Sequence, residues 1–350
     1  MNSNYNNSGQ YDALHYINSR PYDSSFFDPS ILWKKSEDRR MLRRLSLLGG
    51  GALILYILIQ YGLIIGLKLF DKNNLYGTDE LFQSAFDIIL SIAGMYIPFA
   101  LLGKAMKKIS GEENPVPLGR PLSLPMCLLA VVAGLGLCMV ANYVTSIITV
   151  VMALFGVELS TPDIAMPTGV AGIVLSVVRI GVVAAVVEES AMRGFVMGNL
   201  RRYGDGFAIV MSAFLFGFMH GNLIQAPFAL IAGIGLGYLS IKTGTLWTGI
   251  VIHFLNNMIS VSVTYLSDVI PEETLNVVYG ELIYILMIAG IICFVIFNNK
   301  TRHIALRRNE TALSASERVT VYLFTPTMIA AFGYMIFVTA TFISTYSAGQ

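Results

Sequence analysis

The fold class this sequence predicts is all-α: a polytopic transmembrane helix bundle of about nine spans, running N-in to C-out. Composition is the first observation behind that reading. Hydrophobic residues make up 55% of the 350-residue chain and charged residues 13%, against roughly 25% charged in ordinary soluble domains. The mean hydropathy is +0.66, and so little polar surface cannot cover a soluble core of this size. The second observation is a series of apolar runs long enough to cross about 30 Å of hydrocarbon, which takes about 20 helical residues each. They fall near 45–67, 82–103, 123–155, 170–199, 206–222, 225–241, 245–266, 276–297 and 319–345. The third is charge placement. Of the 23 Lys and Arg residues, Arg179 and Arg193 lie within the fourth run, and with the N-terminus inside only Lys68 and Lys72 fall outside. The nineteen that remain gather on the inner side, as the positive-inside rule demands.

The elements follow in chain order. Residues 1–44 form a polar tail rich in Asn, Ser and Tyr, without the apolar core of a cleavable signal peptide, so the first span is expected to act as the targeting signal. Within that tail Phe26, Phe27, Ile31, Leu32 and Trp33 are expected to rest on the membrane surface as a short helix. Residues 45–120 hold two spans and a basic loop with Lys104, Lys107, Lys108 and Arg120; residues 121–266 hold five spans; residues 267–350 hold the last two. The third and fourth runs are long enough to tilt. No inverted repeat of the transporter kind is visible. Gly233, Gly235 and Gly237 lie inside an apolar run, where such spacing serves close helix packing rather than phosphate binding.

Some chemistry is excluded at once. A net charge of +1 offers no electrostatic case for nucleic acid as a partner. Cys127, Cys138 and Cys293 all sit in apolar runs with no Cys-x-x-Cys spacing, which excludes a disulfide framework and a cysteine zinc site.

What needs explaining is the polar residues placed where lipid should be, each costing several kcal/mol at mid-bilayer. The fourth run contains Glu188-Glu189-Ser190-Ala191-Met192-Arg193. Adjacent carboxylates project about 100° apart on a helix, so the two glutamates divide their roles. Glu189 and Arg193 are four apart and face each other as an ion pair; a structural staple is the plainer reading for them. Glu188 is left on a different face, turned toward the bundle interior. The fifth run ends in Phe216-Gly217-Phe218-Met219-His220, with Phe216 and His220 on one face, and the seventh holds His253 and Asn257 in the same relation. Of four histidines, His15 and His303 lie in polar segments, whereas His220 and His253 are buried in apolar runs. A lone buried histidine is usually a satisfied core residue; two, on helices following one with an unpaired glutamate, call for chemistry. Counting about 1.5 Å per residue from the inner helix ends puts Glu188 and His220 about 20 Å deep and His253 about 14 Å, so all three are expected to converge in one cavity. Arg179 is expected to pair with an acidic neighbour or a lipid headgroup.

Glu-Glu-x-x-x-Arg, Phe-x-x-x-His and His-x-x-x-Asn, in this order on separate apolar runs, resemble the motifs of the CPBP family, the CAAX proteases and bacteriocin-processing enzymes also called Abi. The motifs run from Glu188 to Asn257, and the resembling core is expected over about 120–266. The resemblance implies intramembrane peptide-bond hydrolysis. It implies that Glu188 and His220 activate water, that His253 and Asn257 stabilise the oxyanion, and that Glu189, Arg193 and Phe216 are structural or substrate-orienting. Residue chemistry agrees. A carboxylate in low dielectric suits a general base, and amide and imidazole N–H groups supply about 3–4 kcal/mol per oxyanion donor.

Other readings stay open on the residues alone. Glu188, His220 and His253 would make a two-His, one-carboxylate zinc site with an open position, although the His-Glu-x-x-His string is absent and Asn257 is a poor ligand; the metal-free form is preferred, with no cofactor. The same Glu and His residues could relay protons in a transporter. A non-catalytic scaffold or bacteriocin-immunity protein would keep the fold without using the motifs. The expected partners are the bilayer and a hydrophobic or membrane-bound peptide, and the expected location is a bacterial plasma membrane.

Overall fold

The computed structural model describes residues 29–110 and 121–345. His15, Arg20, Phe26, Phe27 and Arg120 lie outside the described residues. Ten helices follow one another: α1 Pro29–Phe70, α2 Glu80–Ile109, α3 Leu124–Leu154, α4 Gly169–Tyr203, α5 Asp205–Met219, α6 Gln225–Thr243, α7 Leu246–Leu266, α8 Glu272–Thr301, α9 Ala315–Leu323 and α10 Pro326–Thr341. Two three-residue strands, β1 Val157–Leu159 and β2 Ile343–Thr345, pair antiparallel. Helices dominate because hydrocarbon offers backbone groups no partner, so each span must satisfy its own.

Among the described residues seven helices are long and apolar enough to cross a membrane, and eight if the bent pair α9–α10 counts as one span. Each of the nine apolar runs corresponds to a helix or to that pair, but two depart from simple crossings. The fifth run stops at Met219, because Gly221 turns the chain with φ 62°; α5 has 15 residues, about 22 Å. The last run breaks by 71° between α9 and α10. Thr325 is extended there and Pro326 begins the next helix without an N–H to continue the old one. Ser46 of α1 accommodates the break: its hydroxyl donates to the freed Tyr322 carbonyl and meets the Thr325 hydroxyl at 2.7 Å. At the head, α1 starts at Pro29, well before the apolar run, so Ile31, Leu32 and Trp33 are exposed residues of its first turns.

The two ends of the bundle differ in chemistry. At one end Asp38 accepts from the Thr311 hydroxyl and the Ala312 N–H, Tyr203 donates to the Asp38 carbonyl, Arg201 pairs with Asp205 at 2.7 Å, and Lys242 donates to the Thr301 and Ile304 carbonyls. Leu122 donates to the Thr243 carbonyl at this same end. The described basic clusters assigned to the inner side from the sequence are thus gathered together. At the opposite end lie β1 and β2 and the segment 160–168.

Small residues set the closest helix crossings. Gly233 faces Arg193 and Ala213, Gly235 faces Leu137, and Gly237 faces Met197 and Ile209, so α6 packs tightly on α4, α5 and α3. On α3 and α8 backbone meets backbone: a Cβ on Gly136 would sit 2.5 Å from the Gly290 Cα. Gly136→Leu is therefore expected to lower the unfolding midpoint in detergent by the overpacking cost of about 1–3 kcal/mol. Gly62→Leu, which would meet nothing within 4 Å, should leave it no lower. Equal behaviour of the two variants would remove the crossing as a stability determinant.

Candidate active site

α4 is the element that makes the site. Its α-helical turns Ala184–Glu189 lie between π-helical stretches Val177–Val183 and Ser190–Met197. π-turns are rare and concentrate at functional sites, since the extra residue per turn re-aims the side chains around it. Glu188 and Glu189 thereby face different surroundings.

Glu189 is fully buried, as is Arg193, and Glu189 Oε1 accepts from Arg193 Nη1 at 2.9 Å. The same oxygen lies 3.2 Å from His253 Nδ1 on α7. The Arg193 guanidinium lies over the Phe216 ring, 4.5 Å from its centroid, and Phe216 in turn meets the rings of His220 and His253 edge-on at 5.0 and 6.0 Å. Gly249 of α7 is required here: a Cβ there would lie 3.0 Å from Glu189 Oε2 and 2.8 Å from Ser240 Oγ. Glu189 Oε2 and Arg193 Nη2 are buried without a protein hydrogen-bond partner among the described residues.

Glu188 points the other way, into a cavity of about 770 Å³ that His220, His253 and Asn257 also line. Its Oε2 lies 3.8 Å from His253 Nε2. His220 caps the end of α5, and its Nδ1 lies 2.8 Å from the Phe216 carbonyl. A carbonyl can only accept, so Nδ1 carries the proton and Nε2 is left as an acceptor. Asn257 spends one amide proton on the Ile180 carbonyl at 2.8 Å. The structure therefore brings all seven motif residues together and splits them into a buried layer (Glu189, Arg193, Phe216) and a cavity-facing set (Glu188, His220, His253, Asn257).

Other residues at the site carry no motif. Asn222, fully buried, donates to the His220 carbonyl at 2.9 Å and accepts from the Gln225 N–H at 2.8 Å, fixing the turn that presents His220. Asn256 lies beside Asn257 on the cavity wall. Arg179 pairs with Asp87 of α2 at 2.6 Å, Asp87 also accepts from the Tyr76 hydroxyl at 3.1 Å, and the guanidinium reaches the Ala165 carbonyl. An acidic partner for Arg179 was expected; which one depends on α2 lying against α4, a contact between segments far apart in sequence.

Zinc can be weighed on the donor set. Nδ1 of both histidines is engaged and Nε2 of both is directed elsewhere, the arrangement metal-ligating histidines adopt. Yet among the described residues no three His, Cys, Asp or Glu side chains stand close enough to hold one ion. Glu188 and His253 meet at 3.8 Å without a third donor in ligating reach among the described residues, so the donors as they stand do not fit a metal.

Residues 169–259, 91 of the 350, match the family model described as "Type II CAAX prenyl endopeptidase Rce1-like". The matched segment starts at α4 and contains every motif residue from Glu188 to Asn257. The chain is a multi-pass integral membrane protein, and over this segment it is similar to CAAX prenyl endopeptidases. Searches of curated proteins and of solved structures return no match.

Removing one partner of the buried pair strands the other's charge. Arg193→Met is expected to destabilise by about 3–5 kcal/mol, whereas Arg193→Met with Glu189→Leu should recover most of it. Unfolding midpoints of the two variants in detergent check this; a double variant no better than the single would show that the charge is not the cause.

Proposed function

We propose that the protein is an intramembrane endopeptidase that hydrolyses a peptide bond in a hydrophobic or membrane-anchored peptide, without a metal. The observation that carries the reading is the division of the two glutamates. Glu189 is committed to Arg193 and His253 in the buried layer, while Glu188, on the next residue, faces a water-accessible cavity together with two histidines and an asparagine.

In this mechanism Glu188 takes a proton from water held between it and His220 Nε2, and the hydroxide oxygen bonds to the scissile carbonyl carbon. The carbonyl π electrons move to oxygen. Asn257 contributes its second amide proton to that oxyanion and His253 its Nε2–H, each donor being worth about 3–4 kcal/mol. For His253 to donate there while Nδ1 donates to Glu189, the ring must carry both protons. Glu188, Glu189, Arg193 and His253 are then electrically neutral as a group. The oxyanion electrons then re-form the carbonyl, the C–N bond breaks with its electron pair going to nitrogen, and the proton on Glu188 passes to the departing amine, leaving a new carboxyl terminus. Glu189 and Arg193 act as positioning residues that hold the His253 ring, and Phe216 spaces the two imidazoles. A bacterial plasma membrane suits a chain whose described loops are short.

Glu188→Gln keeps the shape of the side chain and removes the base. It should reduce cleavage by about 10²–10⁴-fold with an unchanged unfolding midpoint. Peptide profiles of membranes and medium from cells carrying either form supply the substrate, and retained activity would exclude Glu188 as the base. Purified enzyme should cleave equally well with and without a strong zinc chelator. A loss restored by added zinc would assign Glu188, His220 and His253 to a metal instead.

A further inference from the structure

The reaction cavity is one-sided. It begins at mid-bundle, beside Glu188, His253 and Leu236, and runs to the end of the bundle that carries β1 and β2. Its exposed lining is Thr161, Asp163 and Ile164, in the segment after β1, and Ser260 in the far half of α7. In the other direction it stops at the Glu189–Arg193 layer. Beyond that layer, toward the basic end, Met192, Met197, Leu200 and Tyr203 are 0–1% exposed, and Tyr203 is tied to the Asp38 carbonyl. Among the described residues these side chains close the bundle between Glu188 and the basic end.

Positive charge marks the cytoplasmic side, and the described basic clusters all lie at the closed end. We infer that the cavity is reached from the extracytoplasmic face, and that the substrate is an exported or outward-anchored polypeptide segment rather than a cytoplasmic chain. This rests on the proposed reading of the cavity as the reaction site. Its depth adds a requirement on the substrate. Arg179, buried on the cavity wall, and Glu188 are nine residues apart on α4, about 13–14 Å along the helix, which an extended peptide covers in about four residues. The segment must be unfolded for at least that length on one side of the cleaved bond. Arg179 and Asp87 neutralise each other along the passage, so it does not demand a charged terminus.

Accessibility of single cysteines tests the side directly and needs no cleavage assay. With Cys127, Cys138 and Cys293 replaced by Ala, Asp163→Cys at the mouth, Asn142→Cys and Asn256→Cys along the wall, and Lys300→Cys at the basic end are treated in intact spheroplasts with a charged, membrane-impermeant methanethiosulfonate. The expected result is modification of Asp163→Cys and of at least one wall cysteine from outside, with Lys300→Cys modified only after lysis. Modification of the mouth and wall cysteines only after lysis would overturn the inference. So would a modified Asp163→Cys with both wall positions protected, since the mouth would then not lead to the site. The Glu188→Gln comparison decides separately whether the cavity is proteolytic.

Discussion

Everything at the site depends on one buried charge pair. Moving Glu189 and Arg193 out of water costs several kcal/mol per ion, and their attraction repays it only where geometry is tight. The structure supplies that geometry with small residues: Gly233 lets α6 approach Arg193, and Gly249 lets α7 approach Glu189. Phe216 covers the guanidinium face. Because Glu189 also binds His253 at 3.2 Å, the same pair that fastens α4 to α6 and α7 orients an imidazole of the candidate site. In the proposed mechanism, packing and chemistry share this one carboxylate.

Much of this was legible in the sequence, because hydropathy and charge are local properties. The apolar runs locate the helices, and i, i+4 spacing places Glu189 against Arg193 and Phe216 beside His220. Depth counting puts Glu188 and His220 about 20 Å deep and His253 about 14 Å, near enough to share one cavity. What stayed hidden depends on contacts between distant segments or on backbone detail. The π-turns flanking Glu188 have no residue signature. Asp87 became a partner of Arg179 only once α2 packed against α4. Pro326 and Thr325 did mark a break, but a hydropathy window averages across it. Nothing local foretold that Ser46 would satisfy the Tyr322 carbonyl.

The family match and the cavity wall do not coincide. Residues 169–259 supply Glu188, His220, His253 and Asn257, yet Tyr56 and Gln60 of α1, Asp87 of α2 and Asn142 of α3 complete the wall. These lie outside the matched segment. A motif-bearing segment is thus enclosed by helices that the family match does not cover, and in such an arrangement the surrounding wall selects what reaches the motif residues. The mixed polar and apolar lining suits an extended backbone, whose N–H and C=O groups need partners within a narrow cleft.

The one-sided cavity also weighs between hydrolysis and transport. A transporter built on the same Glu and His residues needs a route to each face in turn, usually provided by repeat halves that rock about the binding site. Here no repeat is visible in the sequence. The wall between the cavity and the basic end is a fully buried ion pair backed by Met192, Met197 and Leu200. Opening that wall would expose Glu189 and Arg193 separately, forfeiting the attraction that repays their desolvation. A hydrolase needs only one door, a base that water can reach and donors fixed around the developing charge. The Glu188 side of α4 faces such a cavity, and the Glu189 side keeps its far end shut.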